Sequence, residues 1–150
     1  MSKAISGKFS GTKGEGATLA SQLDANGVKY NKKDVVAITK DPDGNIVWLE
    51  KGHLGNKPSG LAHIIEEHVA DFEKQNISRD EIPQYIMQAV KSGTIVGYQG
   101  RGKGRPIYEF IYEGKTRRIA ISIGSNGYIV GANPKSIEKE KSHEKIKIIP

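Results

Sequence analysis

Cysteine is absent from the 150-residue sequence. Disulfide scaffolds, thiolate nucleophiles and cysteine-based zinc sites are excluded together. No apolar run approaches the roughly 18 residues a membrane helix requires. The first thirty residues lack the apolar core of a signal peptide, so export is expected to depend on another segment or a separate machine. A nucleophile-elbow sequence is missing too, which argues against a serine triad. The glycine-rich stretch near residue 100 is neither a Walker loop nor a dinucleotide fingerprint, because no helix follows it and proline comes directly after Arg105.

What is present is positive charge. The formal net charge is +6, with a pI near 9.4. Between Lys91 and Arg118 seven cations (Lys91, Arg101, Lys103, Arg105, Lys115, Arg117 and Arg118) face two acids, Glu109 and Glu113. Such a local excess suits a polyanion, since neutralised phosphates supply most non-specific nucleic-acid affinity. Apolar residues make up 36% and charged residues 27%, the balance of one globular domain.

Residues 1–16, rich in Gly, Ser and Lys, are expected to form a flexible arm, and residues 17–134 the folded domain. A short helix is expected over Ala17–Ala25, stopped by Asn26-Gly27. Asp34–Lys40 and Asn45–Lys51 favour strands, and the intervening Asp-Pro-Asp-Gly makes a hairpin turn. Leu61, Ile64, Ile65, His68, Val69 and Phe72 form one stripe of a helix over residues 60–75. A second helix over 79–92 starts at a Ser78/Glu81 capping box and stops at Gly93, which requires Pro83 to lie in its first turn. Strands are then expected over 94–99, 107–112, 116–123 and 128–132, as an antiparallel meander, with a charged tail over 135–150. The fold class is α+β, with a hairpin and helices packed on a twisted antiparallel sheet.

Four histidines are present, two of them in GLAHIIEEH. At 100° per residue His63 and His68 stand about 140° apart and do not share a face. His68 lies within the apolar stripe, where a core histidine is the simpler reading. His63 sits in the first turn, where free N–H groups and the helix dipole favour a phosphate oxygen. Their five-residue spacing is one too long for the i, i+4 pair of zinc helices, so no metal is expected. Lys51 ends the second hairpin strand and points the chain toward that helix start; His53 beside it reads more simply as a solvated strand end. In GYQGRGKGRPIYE, Gln99, Arg101, Lys103 and Arg105 alternate with glycines, which lets backbone N–H groups and guanidinium forks approach a phosphodiester. Arg105, braced by Pro106, is expected to be the best-fixed cation. Tyr108 is a candidate to present a hydroxyl or stack a base.

Together WLEKG (48–52), GLAHIIEEH (60–68), IVGYQGRGKGRPIYE (95–109) and RIAISIGSNGYIVGANP (118–134) resemble the C-terminal tRNA-cleaving domains of contact-dependent growth inhibition and related polymorphic toxins. These belong to the barnase/EndoU/colicin/RelE (BECR) group. The resemblance implies helices on a twisted antiparallel sheet with RNA in the cleft. It implies metal-independent cleavage by 2′-hydroxyl attack, leaving a 2′,3′-cyclic phosphate and needing no cofactor. It also implies delivery into the cytoplasm of a neighbouring bacterium, and neutralisation by a dedicated acidic immunity protein. Within that chemistry His63 is expected as base or acid, Arg105 and Lys51 as phosphate stabilisers, Tyr108 as proton donor or orienting group, and His68 as a second titrating group. Gln99, Arg101, Lys103, Arg117 and Arg118 are expected to bind RNA.

Two other classes stay open on the residues alone. A non-catalytic RNA-binding module would use the same basic hairpin with Tyr98, Tyr108 and Tyr112 as stacking platforms. A metal-dependent DNA nuclease is disfavoured by the histidine spacing and the shortage of clustered carboxylates.

Overall fold

A computed structural model describes residues 15–100, 104–136 and 146–148. Among the described residues the amphipathic patterns resolve into three α-helices and seven strands. Helix α1 (Glu15–Ala25) precedes the hairpin β1 (Val35–Lys40) and β2 (Ile46–Glu50), then α2 (Gly60–Lys74) and α3 (Ile82–Ser92). The meander follows: β3 (Thr94–Gln99), β4 (Arg105–Tyr112), β5 (Lys115–Ile123) and β6 (Ile129–Lys135), with a last strand β7 (Ile146–Ile148). The fold class is α+β, as the patterns require, with a two-stranded and a five-stranded antiparallel sheet.

The large sheet runs in the order β6-β5-β4-β3-β7. Its first four members are neighbours in sequence, joined by short turns that fix antiparallel pairing. β7 departs from the expected tail: Ile146 pairs with Gln99 and Ile148 with Gly97, adding a strand beside β3. The sheet also continues past Ala132 to Lys135. Residues 1–14, most of the expected arm, lie outside the described residues, as do 137–145 of the tail.

Period-two alternation sends Tyr108, Phe110 and Tyr112 of β4 to one face, with Ile119 and Ile121 of β5. There they meet Ile64 and Phe72 of α2 and Tyr85, Ile86 and Val90 of α3, all buried. Tyr85 stands at the centre of an edge-to-face cluster, 5.9 Å from Phe72, 5.0 Å from Phe110 and 4.8 Å from Tyr112. Each such pair adds about 1 kcal/mol beyond area burial. Burial raises the Tyr85 pKa to about 12, opposed by the Arg117 guanidinium beside it.

The start of α3 shows why its sequence folds there. The Ser78 backbone N–H donates to Glu81 Oε1 at 3.0 Å, and its hydroxyl does so at 3.1 Å. Glu81 Oε2 accepts from the Tyr112 hydroxyl at 2.7 Å, tying the helix start to β4. The Ser78 backbone donor, then Tyr112, holds the Glu81 carboxyl below its usual range. Pro83 falls in the first turn, where a missing N–H costs nothing.

A smaller core joins α1 to the hairpin through Leu19, Leu23, Val35, Ile38 and the fully buried Trp48. The Trp48 indole donates to Glu50 Oε2 at 2.9 Å, satisfying the ring nitrogen and half of a buried carboxylate. The Trp48 backbone N–H donates to the Gly127 carbonyl at 3.0 Å, which docks the hairpin on the β5–β6 turn.

The loop between β2 and α2 is drawn tight. His53 and Ser59 exchange both backbone hydrogen bonds, at 3.0 and 3.1 Å. Immediately flanking that closure, Gly52 (φ 70°) and Gly60 (φ 76°) pass so closely that a Cβ on Gly52 would lie 1.9 Å from the Ser59 carbonyl oxygen. Only glycine fits, on both steric and dihedral grounds. Gly52→Ala is therefore expected to cost about 3 kcal/mol or more in urea unfolding. Gly55→Ala, at φ 93° in open space, should cost about 1 kcal/mol; equal losses would mean that the crossing is not the constraint.

Candidate functional site

The second face of the large sheet carries the other half of the alternation. The β4–β5 register sets Glu109 opposite Arg118 and Ile107 opposite Ala120; the β5–β6 register sets Ser122 opposite Gly131 and Ala120 opposite Asn133. On β3, Gln99 lies opposite Arg105. Arg105, Gln99, Ser122, Gly131 and Asn133 thus come together at the end of the sheet where β4 begins.

Within this group Arg105 Nη1 donates to Asn133 Oδ1 at 2.8 Å, and Asn133 Nδ2 donates to Gln99 Oε1 at 3.2 Å. The guanidinium crosses β5 to reach β6 and lies against Gly131, where a Cβ would stand 3.2 Å from Nη2. Burial alone pushes the Arg105 pKa down, yet an arginine stays protonated at neutral pH. Among the described residues its hydrogen-bonding partner is the neutral Asn133 side chain, not a carboxylate. A half-buried cation held by a neutral group retains its charge for an anion, and two N–H groups of one fork suit a phosphate.

Arg118 is a different case. Its Nε and Nη2 both reach Glu109 Oε2 at 2.9 Å, with the two side chains 17% and 35% exposed. That pair is largely self-neutralising, so Arg118 offers less to an incoming phosphate than Arg105. Arg117 points the other way, toward the helices, and donates to the Gln75 carbonyl at the end of α2 at 2.9 Å. Arg101 and Lys103 lie outside the described residues.

The remaining expected site residues divide between the faces. Tyr108 is three residues beyond Arg105, so it points to the helix face and is buried in the main core. Burial is the first cause raising its pKa, followed by the Asp41 carboxylate. The pleat thus separates Tyr108 from Arg105, and it supplies packing rather than a stacking surface. His68 Nδ1 and Asp71 Oδ2 are 2.9 Å apart along α2. His68 is partly exposed at the rim of the apolar stripe, with a local carboxylate to orient it.

His63 is half-buried in the first turn of α2. The Ala62 N–H, next to it, donates to the Lys51 carbonyl at 2.8 Å, so the loop crossing brings the Lys51 backbone to the His63 turn. The Lys51 side chain is exposed there. This helix start is also tied to the large sheet: Ser59 Oγ and the Tyr128 hydroxyl are 2.8 Å apart. Tyr128 is three residues before Gly131, over which Arg105 lies. The start of α2, which carries His63, is thus tied to the residue preceding β6, whereas Arg105 and Asn133 lie on the sheet face away from α2. Asn133 and Ser122 escaped the sequence reading. Their positions in NP and ISI segments look structural until the β5–β6 register places them beside Arg105.

Among the described residues no helix is long and apolar enough to cross a membrane. No protein-family model matches the chain, and no curated protein matches it.

The two faces make separable demands. Asn133→Ala should weaken binding of a polyanion such as tRNA about tenfold, by loosening Arg105. Tyr108→Phe should leave it within twofold of wild type. Fluorescence anisotropy at fixed salt checks both, and equal losses would contradict the separation of Tyr108 from the anion site.

Proposed function

We propose that the chain is a metal-independent endoribonuclease that cleaves tRNA by transphosphorylation. The observation that carries this reading is Arg105: a half-buried guanidinium, oriented by a neutral asparagine, at the foot of a basic glycine-rich hairpin. The resemblance to the toxin nucleases supplies the reaction type and the substrate. The ribose 2′-oxygen attacks the adjacent phosphorus while the P–O5′ bond breaks, giving a 2′,3′-cyclic phosphate and a 5′-hydroxyl. A base takes the 2′-hydroxyl proton, an acid protonates O5′, and a cation stabilises the phosphorane charge.

Arg105 fits the last role through the N–H groups that Asn133 leaves unengaged among the described residues. His63 fits proton transfer by its place at a helix start, and Lys51 adds a cation beside it. An RNA strand crossing the β6 edge would meet both groups. The toxin setting follows from the same resemblance: delivery into a neighbouring bacterium as part of a larger effector, and neutralisation by an acidic immunity protein complementary to the basic hairpin.

Two observations favour the second reading, an RNA-binding module without catalysis. His68 is engaged by Asp71, and α2 packs on the face opposite to Arg105. Incubation with total tRNA in excess EDTA separates the two. The proposal expects cleavage that survives EDTA, with Arg105→Ala and His63→Ala each lowering kcat by about 10² or more. Intact but gel-retarded tRNA would establish the binding module, and near-normal turnover of His63→Ala would remove that histidine from the chemistry.

A further inference from the structure

A cavity of about 520 Å³ opens where three corners of the chain meet: the end of α1, the β1–β2 turn and the β5–β6 turn. Its lining differs in kind from the basic surface around Arg105. Leu23 and Ile46 contribute apolar wall, and Gln22, Asn26, Asn45 and Asn126 bring side-chain amides to it. Among the described residues no cation lines it, and Asp41 is its sole ionisable side chain. In a chain of net charge +6 such a lining does not suit a phosphate.

Two of the polar groups are fixed by the turns that carry them. Asp41 Oδ1 accepts the Asp43 and Asn45 backbone N–H groups at 2.9 and 2.8 Å, and its Oδ2 accepts the Asn45 amide at 3.2 Å. That leaves the half-buried Oδ2 able to take one more donor. Asn126 Oδ1 accepts the Tyr128 N–H at 3.0 Å, which holds the amide and leaves its NH₂ over. Among the described residues no side-chain hydrogen bond engages Gln22 or Asn26. Turn chemistry explains an asparagine at each corner taken singly. It does not explain amides from three corners converging on one cavity beside an oriented carboxylate.

The cavity adjoins the Arg105 group through β5. A Cβ on Gly131 would stand 3.2 Å from Arg105 Nη2 and 3.6 Å from Ser122 Oγ, so both side chains border that glycine. Ile123, the next residue after Ser122, already lines the cavity, and Ser125 follows within about 10 Å of extended chain. We infer that the cavity receives a nucleobase of the RNA strand whose phosphate lies at Arg105, the base turning over the end of β5. A base is uncharged, has flat apolar faces, and carries N–H donors and acceptors along its Watson–Crick edge. The amides supply both partners for that edge, and Asp41 Oδ2 accepts from one N–H of the base. Phosphate contact at Arg105 positions the strand, and the cavity reads it. The inference rests on the proposed RNA reading but not on cleavage.

The test is equilibrium binding of four tetranucleotides, one each of A, C, G and U, 2′-O-methylated so that none can undergo transphosphorylation. Fluorescence anisotropy at fixed salt should show wild type preferring one base over the weakest by about tenfold or more. Asp41→Asn keeps an acceptor for the turn N–H groups and should compress that preference about fivefold. Gln22→Ala, at an exposed helical position, leaves the turns intact and should compress it by about twofold. Arg105→Ala should weaken all four by a common factor and keep the preference. Equal affinity of wild type for the four, or a preference that survives both cavity variants, would overturn the base site while the RNA reading stands. Failure of wild type to bind the four or tRNA would overturn the RNA reading, and the base site with it.

Discussion

Strand β4 carries two kinds of chemistry on its two faces, and the pleat that separates them organises the molecule. Tyr108, Phe110 and Tyr112 turn toward α2 and α3, where their rings close the main core around Tyr85. Arg105, Ile107 and Glu109 turn the other way and meet Gln99, Arg118 and Ala120 on neighbouring strands. A slip of one residue would exchange these sets, burying a guanidinium and a carboxylate among aromatic rings at a cost of several kcal/mol. Register and charge placement are therefore one constraint. The core holds the register, and the register aims Arg105 at Asn133.

That constraint also sorts the cations. Basic residues within 14 positions of one another in sequence end in three environments. Arg118 is neutralised by Glu109, Arg117 braces the end of α2, and Arg105 keeps its charge beside a neutral amide. Net charge favours association with a polyanion anywhere on the surface. Specific geometry requires a cation that is desolvated, oriented and not already paired, and among the described residues Arg105 meets all three conditions.

Much of the scaffold was legible in the sequence because its signals are local. Helices α2 and α3 follow from apolar stripes, a capping box and terminal breakers, and β3 runs over the same Thr94–Gln99 that the pattern marks. The hairpin follows from Asp-Pro-Asp-Gly. What was not legible depends on pairing between distant segments. The bulge between Ile95 and Gly97, and the β5–β6 register that brings Asn133 to Arg105, have no local signature. Tyr108 looked available because it follows Arg105 closely, but three residues along a strand reverse the face. The crossing of Gly52 over Gly60 is equally invisible, since it depends on the His53–Ser59 closure between them. β7 has only three residues within a charged tail, too few to show a period.

The central claim is that RNA lies against the sheet face opposite to the helices, at the Arg105 end, and approaches His63 around the β6 edge. Amide-resolved NMR titration with a 2′-deoxy substrate analogue, which cannot undergo transphosphorylation, tests it most directly. The account predicts the largest shifts at Gln99, Arg105–Ile107, Ser122 and Gly131–Asn133, with a smaller set at the first turn of α2. Shifts confined to the outer surfaces of α2 and α3, with the Arg105 group unmoved, would contradict it.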